Sequence, residues 1–308
     1  MSQLPSTDPS ASIPEVIVIG EALTDIVVSP TGTVGHPGGS PMNVAYGLGR
    51  LGVATALLTS IGDDERGLAI ENHLGGVGVG LLSGSKTPGK TSSAVASLAA
   101  DGSASYEFDV HWTLEPTALE TLPKLIHSGS IATFLAPGAT TVRTLLQQAN
   151  GQCVVTYDPN IRPALLGSQA EARSIFEDLV PLTDVVKLSD EDAAWLYPTL
   201  DAQGVAARIL RLGAELVVVT LGAQGSLLAT TATELHVPAV SSVVADTIGA
   251  GDSYMAALIH GLLERGRREL SNEALATLGR AASAAAATTV RRHGANPPTL
   301  HELSEMLV

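Results

Sequence analysis

The sequence is short of basic residues and of cysteine, and each shortage closes off a class of function. Lysine and arginine number 17 against 31 aspartates and glutamates, a formal net charge of −14. Nucleic acid and anionic membranes both need a basic face, so neither is expected as a partner. The single cysteine, Cys153, excludes a disulfide framework within the chain and a cysteine-based zinc site. It precedes Val154 and Val155 in an apolar run and reads as a core residue. The eight histidines form no HExxH pattern, which removes the usual signature of a histidine-held catalytic metal. No apolar run approaches the roughly 18 residues of a membrane span. Met1 to Pro14 is rich in serine, proline and threonine, with neither a basic start nor an apolar stretch. It reads as a disordered tail rather than a signal peptide, and the chain as a soluble, cytoplasmic protein.

What is present is an alternation of strand and helix patterns across 308 residues that are 45% hydrophobic. Strands are expected at Glu15–Gly20, Ala54–Ile61, Ser130–Leu135, Gln152–Tyr157, Val185–Ser189 and Leu216–Leu221. Helices are expected at Asp64–Leu74, Pro116–Leu122, Thr140–Ala149 and Ala274–Val290. This alternation implies an α/β fold with a mostly parallel sheet and helices on both faces. No interior linker or repeat divides it, so residues 15–308 read as one domain.

The most informative stretch is Asp246–Ile259, DTIGAGDSYMAALI. Val243–Ala245 before it reads as the end of a buried strand. Gly249, Ala250 and Gly251 then allow a tight turn, and a helical apolar face begins with Tyr254, Ala257 and Leu258. Free N–H groups at such a helix start make an anion site. A carboxylate there, Asp252, repels the anion, which suits a proton acceptor for a nucleophile attacking it. The plainer reading is a first-turn or capping aspartate. Asp25, just past the first strand, is placed to accept hydrogen bonds from hydroxyls or to cap a loop. Gly38 and Gly39 permit close backbone approach, Ser40-Pro41 starts a helix, and Asn43 offers donors and an acceptor. Arg162 can fork to phosphate oxygens or sit in a surface salt bridge.

Two nucleotide patterns compete. Gly47–Gly52 matches GxGxxG but closes a helix instead of opening one. Gly84–Thr91 matches the P-loop GxxxxGK[ST], with Asp158 ending an apolar run as a Walker-B-like partner. Beyond Lys90, however, the chain reads as a hairpin turning at Asp101-Gly102, with Tyr106, Phe108 and Val110 alternating with Glu107 and Asp109 through to Trp112.

Position for position, DTIGAGD resembles the C-terminal motif of the ribokinase-like (PfkB-type) carbohydrate kinases. Further matches follow in family order over residues 15–298. The Gly38–Asn43 stretch resembles the N-terminal sugar motif, and Asp158–Arg162 (DPNxR) resembles a stretch common in fructokinases and ketodeoxygluconate kinases. Thr220–Gly225 resembles the TxGxxG nucleotide segment. The resemblance implies a three-layer αβα sandwich with a small inserted β lid, near residues 24–37 and 89–113. It implies Asp252 as catalytic base, the amides at Gly249, Ala250 and Gly251 as the hole for the transferring phosphoryl group, and Arg162 as its assistant. Asp25, Gly38, Gly39 and Asn43 fall at sugar-binding positions, and Thr220, Gly222, Gly225 and Ser283 at nucleotide positions. ATP and Mg²⁺ are implied as cofactors. Arg291–Ala295 resembles a loop that, with Asp246 and Ile248, holds a monovalent cation such as K⁺. Relatives carry an NxxE-type motif for the Mg²⁺ water shell where this chain has Ser189 and Asp192, and often asparagine at Ser283. Those departures leave the metal role among Asp190, Glu191 and Asp192. The reaction implied is ATP-dependent phosphorylation of a primary hydroxyl of a small sugar, with a homodimer through the lid as an option. The second hairpin strand carries two acids and no arginine, which favours a neutral sugar, fructose first. The alternatives are 2-keto-3-deoxygluconate, ribose or a nucleoside, and, in other classes, a P-loop hydrolase or a non-catalytic sugar sensor.

Overall fold

The computed structural model describes residues 13–29, 32–98, 104–266 and 270–307. In chain order the first half contains β1 (Val16–Ile19), β2 (Leu23–Ser29), β3 (Gly32–Gly38), α1 (Ser40–Arg50), β4 (Thr55–Leu58) and β5 (Ile61–Gly62). Next come α2 (Glu65–Gly75), β6 (Gly80–Leu81), β7 (Lys86–Thr87), β8 (Ser93–Leu98), β9 (Ala104–Asp109), β10 (Leu125–Gly129) and α3 (Gly138–Ala149). The second half contains β11 (Val154–Asp158), α4 (Gln169–Leu179), β12 (Val185–Ser189), α5 (Asp190–Leu196), α6 (Ala202–Leu212) and β13 (Leu216–Thr220). It closes with β14 (Ser226–Ala229), β15 (Glu234–Val237), α7 (Ala250–Arg265), α8 (Asn272–Thr289) and α9 (Leu300–Met306).

A nine-stranded sheet runs β15-β14-β13-β12-β11-β10-β1-β4-β6. It is parallel from β6 to β13, with β14 and β15 antiparallel at one edge. Both faces of the parallel strands are covered, so their sequences are continuous apolar runs. On one face Ile17, Ile126, Val155 and Val217 pack with Val142, Phe176 and Ile209 of α3, α4 and α6. On the other, Val18, Leu57, Leu125 and Val218 pack with Leu48, Ile70, Leu258 and Leu275 of α1, α2, α7 and α8. The three-layer expectation holds. A second, separate sheet is ordered β3-β2-β8-β9.

Several local readings do not survive. Pro116–Leu122 is not helical: the Gln148 side chain accepts from the Leu119 N–H and donates to its carbonyl, satisfying the backbone across space. Ser130–Leu135 is not a strand. The strand is Leu125–Gly129, and Ser130, at φ 53°, turns the chain into a 3₁₀ segment over Ser130–Thr133. Val243–Ala245 is not a strand: Val243 is 87% exposed, and the Ala245 N–H donates to the Val290 carbonyl at 2.7 Å. The second hairpin strand ends at Asp109, and Trp112 is a core residue whose ring N–H donates to the Ala132 carbonyl at 3.0 Å. Lys90 is exposed and leads into β8 rather than a helix, so the P-loop match has no phosphate-binding helix. The GxGxxG match lies in α1, where Gly47 packs so closely on Ala256 that a Cβ would come within 2.9 Å of it. Cys153 is buried as expected. The tail reading, over residues 1–12, and the Asp101-Gly102 turn lie outside the described residues.

Candidate active site

The starts of α1 and α7 meet beside the end of β1, and their side chains converge on Asp252. Ser40 Oγ donates to Asp252 Oδ1 at 2.6 Å, and Asn43 Nδ2 donates to Oδ2 at 2.8 Å. A carboxylate has about four lone-pair sites, so two donors orient it and leave capacity for a further proton. Asp252 lies in the first turn of α7, at the positive end of the helix dipole. Gly249 caps that helix in the left-handed region, φ 75°, and Ser253 donates back to its carbonyl at 2.8 Å. The turn spends the Ala250 N–H on the Thr247 carbonyl, at 3.2 Å, and leaves the first-turn amides of Gly251 and Asp252 at the helix start, beside a carboxylate held by two donors. Ser40, read in the sequence only as a helix start, is a member of this cluster.

The expected sugar-side residues come together here. Asp25 lies on β2, Gly38 ends β3, and Gly39 caps α1. A Cβ on Gly38 would fall 2.0 Å from Asp25 Oδ2, so glycine there is a requirement of space. Asp25 reaches solvent, yet crowding by protein raises its pKa to about 6, with Arg162 and His36 opposing the shift and Asp252 adding to it. Glu21, at the end of β1, is buried and pushed up to about 7 by that burial, while its carboxylate accepts from the Ala132 N–H at 3.1 Å. Arg162 is exposed, donates to the Ile161 carbonyl at 3.0 Å, and extends its charge to both acids. The charge argument drawn from Glu107 and Asp109 needs correction. Asp25 pairs with His36 and Ala94, and Ala94 with Phe108, so these share one face of the second sheet. Glu107 and Asp109 pair with Val95 and Ser93 on the opposite face.

The nucleotide-side residues line a neighbouring strand end. Thr220 ends β13, and Gly222 and Gly225 turn the chain at φ 55° and 99°, leaving Gly222–Gln224 exposed. Val243, Val244 and Ile248 form an exposed apolar strip leading into α7. Ser283 is buried in α8.

Both carboxylate oxygens of Asp192 carry backbone hydrogen bonds. Its Oδ1 accepts from the Ile161 N–H at 2.8 Å and its Oδ2 from the Ser189 N–H at 3.1 Å, a capping box that also braces the DPNxR loop. Asp192 thus has a structural role, and Asp190 and Glu191 are exposed on the same turn. Asp246 accepts from the Ile248 and Gly294 N–H groups at 3.0 and 2.9 Å. Partial burial works against its charge, but these bonds outweigh it and hold Asp246 below the usual carboxylate range. The loop after α8 and the turn before α7 are therefore tied together.

Sequence reasoning missed Lys187. This β12 residue is 4% exposed and donates to Asp158 Oδ2 at 2.6 Å. A lysine in an apolar strand was the available signal.

A model described as pfkB family carbohydrate kinase matches residues 14–302. A fructokinase of Rhizobium leguminosarum bv. trifolii is 32% identical over 259 residues, covering 80% of this chain and 79% of that protein. Among solved structures, a fructokinase with bound ATP from Xylella fastidiosa matches with a TM-score of 0.82 at 25% identity, covering 96% of this chain and 98% of its own. A fructokinase from Vibrio cholerae O395, solved with fructose, ADP and a calcium ion, matches with a TM-score of 0.80 at 25% identity, covering 96% and 99%.

Proposed function

The chain belongs to the pfkB family of carbohydrate kinases and is an ATP-dependent sugar kinase, and we propose that its sugar is fructose and its catalytic base Asp252. The observation that carries the base assignment is the Asp252 carboxylate, held by Ser40 and Asn43 beside the first-turn amides of α7. Asp252 takes the proton of the attacking hydroxyl, and the amides of Gly249, Gly251 and Asp252 hold charge developing on the phosphoryl oxygens. Arg162, near Asp25, steadies the same oxygens. Asp25 and the Asn43 side-chain oxygen accept from sugar hydroxyls. Thr220, Gly222 and Gly225 form the nucleotide's turn. Mg²⁺ supplies charge neutralisation on the phosphates. Asp190 and Glu191, exposed at the start of α5, would hold it through its water shell. For a monovalent cation, the Asp246–Gly294 junction is the candidate support.

The preference for a neutral sugar rests on the register of the second sheet. The residues paired around Asp25 in that sheet, His36, Ala94 and Phe108, include no lysine or arginine to receive a carboxylate or phosphate, and the nearby Arg162 is already opposed by Asp25 and Glu21. An unpaired anion placed next to Asp25 loses several kcal/mol, each roughly 1.4 kcal/mol being tenfold in specificity. Fructose is therefore expected to exceed 2-keto-3-deoxygluconate and fructose 6-phosphate in kcat/KM by at least about tenfold. ADP release over a sugar panel measures this. The reverse order would sink the fructose assignment, and no sugar-dependent release at all would favour a sensor.

Asp25 also sets a pH dependence. Its pKa is raised from 3.8 towards about 6, so a carboxylate that accepts hydroxyl protons is present above that range and lost as pH falls through it. Solvent access screens the shift, so kcat/KM for the sugar is expected to fall on an acid limb no higher than about pH 6. Arg162→Ala removes a charge that opposes the shift and should move the limb upward. A flat profile down to pH 4 would remove Asp25 from sugar binding.

A further inference from the structure

A lysine and an aspartate buried between apolar layers make a poor device for stability, because a well-packed apolar pair often does as well or better. Lys187 and Asp158 have side chains only 5% and 1% exposed. The pair is also incomplete, since Asp158 Oδ1 has no hydrogen-bond partner among the described residues. Its location is more telling than its strength. A Cβ placed on Gly251 would come 3.1 Å from Lys187 Nζ, so the ammonium lies directly beneath the first turn of α7. Burial works against that ammonium, but Asp158, Asp252 and Asp192 outweigh it and hold the lysine above its ordinary pKa. Asp158 is itself pushed up to about 6 by burial, with Lys187 opposing. The site thus gathers Asp25, Asp158, Asp192 and Asp252, yet a kinase must bring a polyanion to it.

We infer that Lys187 is a positioning residue for phosphoryl transfer. Its ammonium places a fixed positive charge under the α7 turn, drawing the phosphoryl oxygens onto the amides and offsetting the neighbouring carboxylates. Asp158 anchors the ammonium at that spot. This inference rests on the kinase reading of the site.

The test compares three variants by kcat per folded molecule. Lys187→Met leaves a buried carboxylate unpaired and is expected to lose stability as well as turnover. Lys187→Met combined with Asp158→Asn removes both charges and should fold. Its kcat is expected to fall at least about 50-fold while KM for fructose changes less than about threefold. Relative to wild type, the double variant should also lose much more affinity for ADP with aluminium fluoride and fructose, a mimic of the transferring phosphoryl group, than for ADP alone. Asp158→Asn keeps the ammonium and should lose less than about tenfold. A double variant within about threefold of the wild-type kcat would reduce the pair to a structural one. Equal losses in the two single variants would do the same. A wild-type protein without sugar-dependent ADP release would instead overturn the kinase reading.

Discussion

Replacing Asp252 by asparagine is expected to lower kcat by about 10²–10⁴-fold, roughly 3–5 kcal/mol, while the fold and ATP affinity stay near wild type. The substitution keeps the shape of the side chain. Its amide oxygen still accepts from Asn43 or Ser40, and the serine hydroxyl can rotate to accept from the new NH₂. Removing a negative charge from the first turn of α7 costs the helix only about 0.3–1 kcal/mol. What disappears is the ability to take a proton from the attacking hydroxyl. Single-turnover phosphoryl transfer, with nucleotide affinity measured in parallel, separates the two effects. A variant that keeps most of its kcat would exclude Asp252 as the base.

Much of this cluster was legible because its signals are local. Gly249–Gly251 followed by a helical pattern, and Gly38-Gly39 before Ser40-Pro41, declare their turns within a few residues of sequence. The partners of Asp252 are another matter: Ser40 lies 212 residues away and Asn43 209, and no periodicity encodes that distance. The Lys187–Asp158 pair spans two strands and escapes notice for the same reason. Where local signals misled, tertiary context had overridden them. Ser130–Leu135 is more apolar than Leu125–Gly129, but the latter pairs with both β1 and β11, and His127 is buried in it, with burial pushing its pKa down to about 3. Alternation correctly marked Glu107, Phe108 and Asp109 as a strand. Which of them joins Asp25 depends on register, and register is set by strands outside the segment. Val243 and Val244 have strand composition without a neighbouring strand to pair with.

Gly249→Ala is expected to lower kcat at least about 10²-fold with Asp252 intact, because amides displaced by about 1 Å from the reacting group lose that much. Two independent costs act at this position. The residue sits at φ 75°, where a side chain costs about 1–3 kcal/mol. A Cβ there would also meet Ala295 Cβ at 2.6 Å and Ala295 Cα at 2.7 Å. Backbone cannot yield like the tip of a side chain, so the loop after α8 or the turn itself must move. Movement of the loop strains the Gly294 N–H bond to Asp246, and movement of the turn re-aims the amides and Asp252. Gly52→Ala provides the control. Gly52 has φ 79° with nothing within 4 Å of an added Cβ, and it follows the far end of α1. It should lower thermal stability through the same backbone strain while leaving kcat unchanged. If Gly249→Ala also loses only stability, the close fit at Ala295 has no bearing on turnover, and the amides of this turn do not set the phosphoryl site.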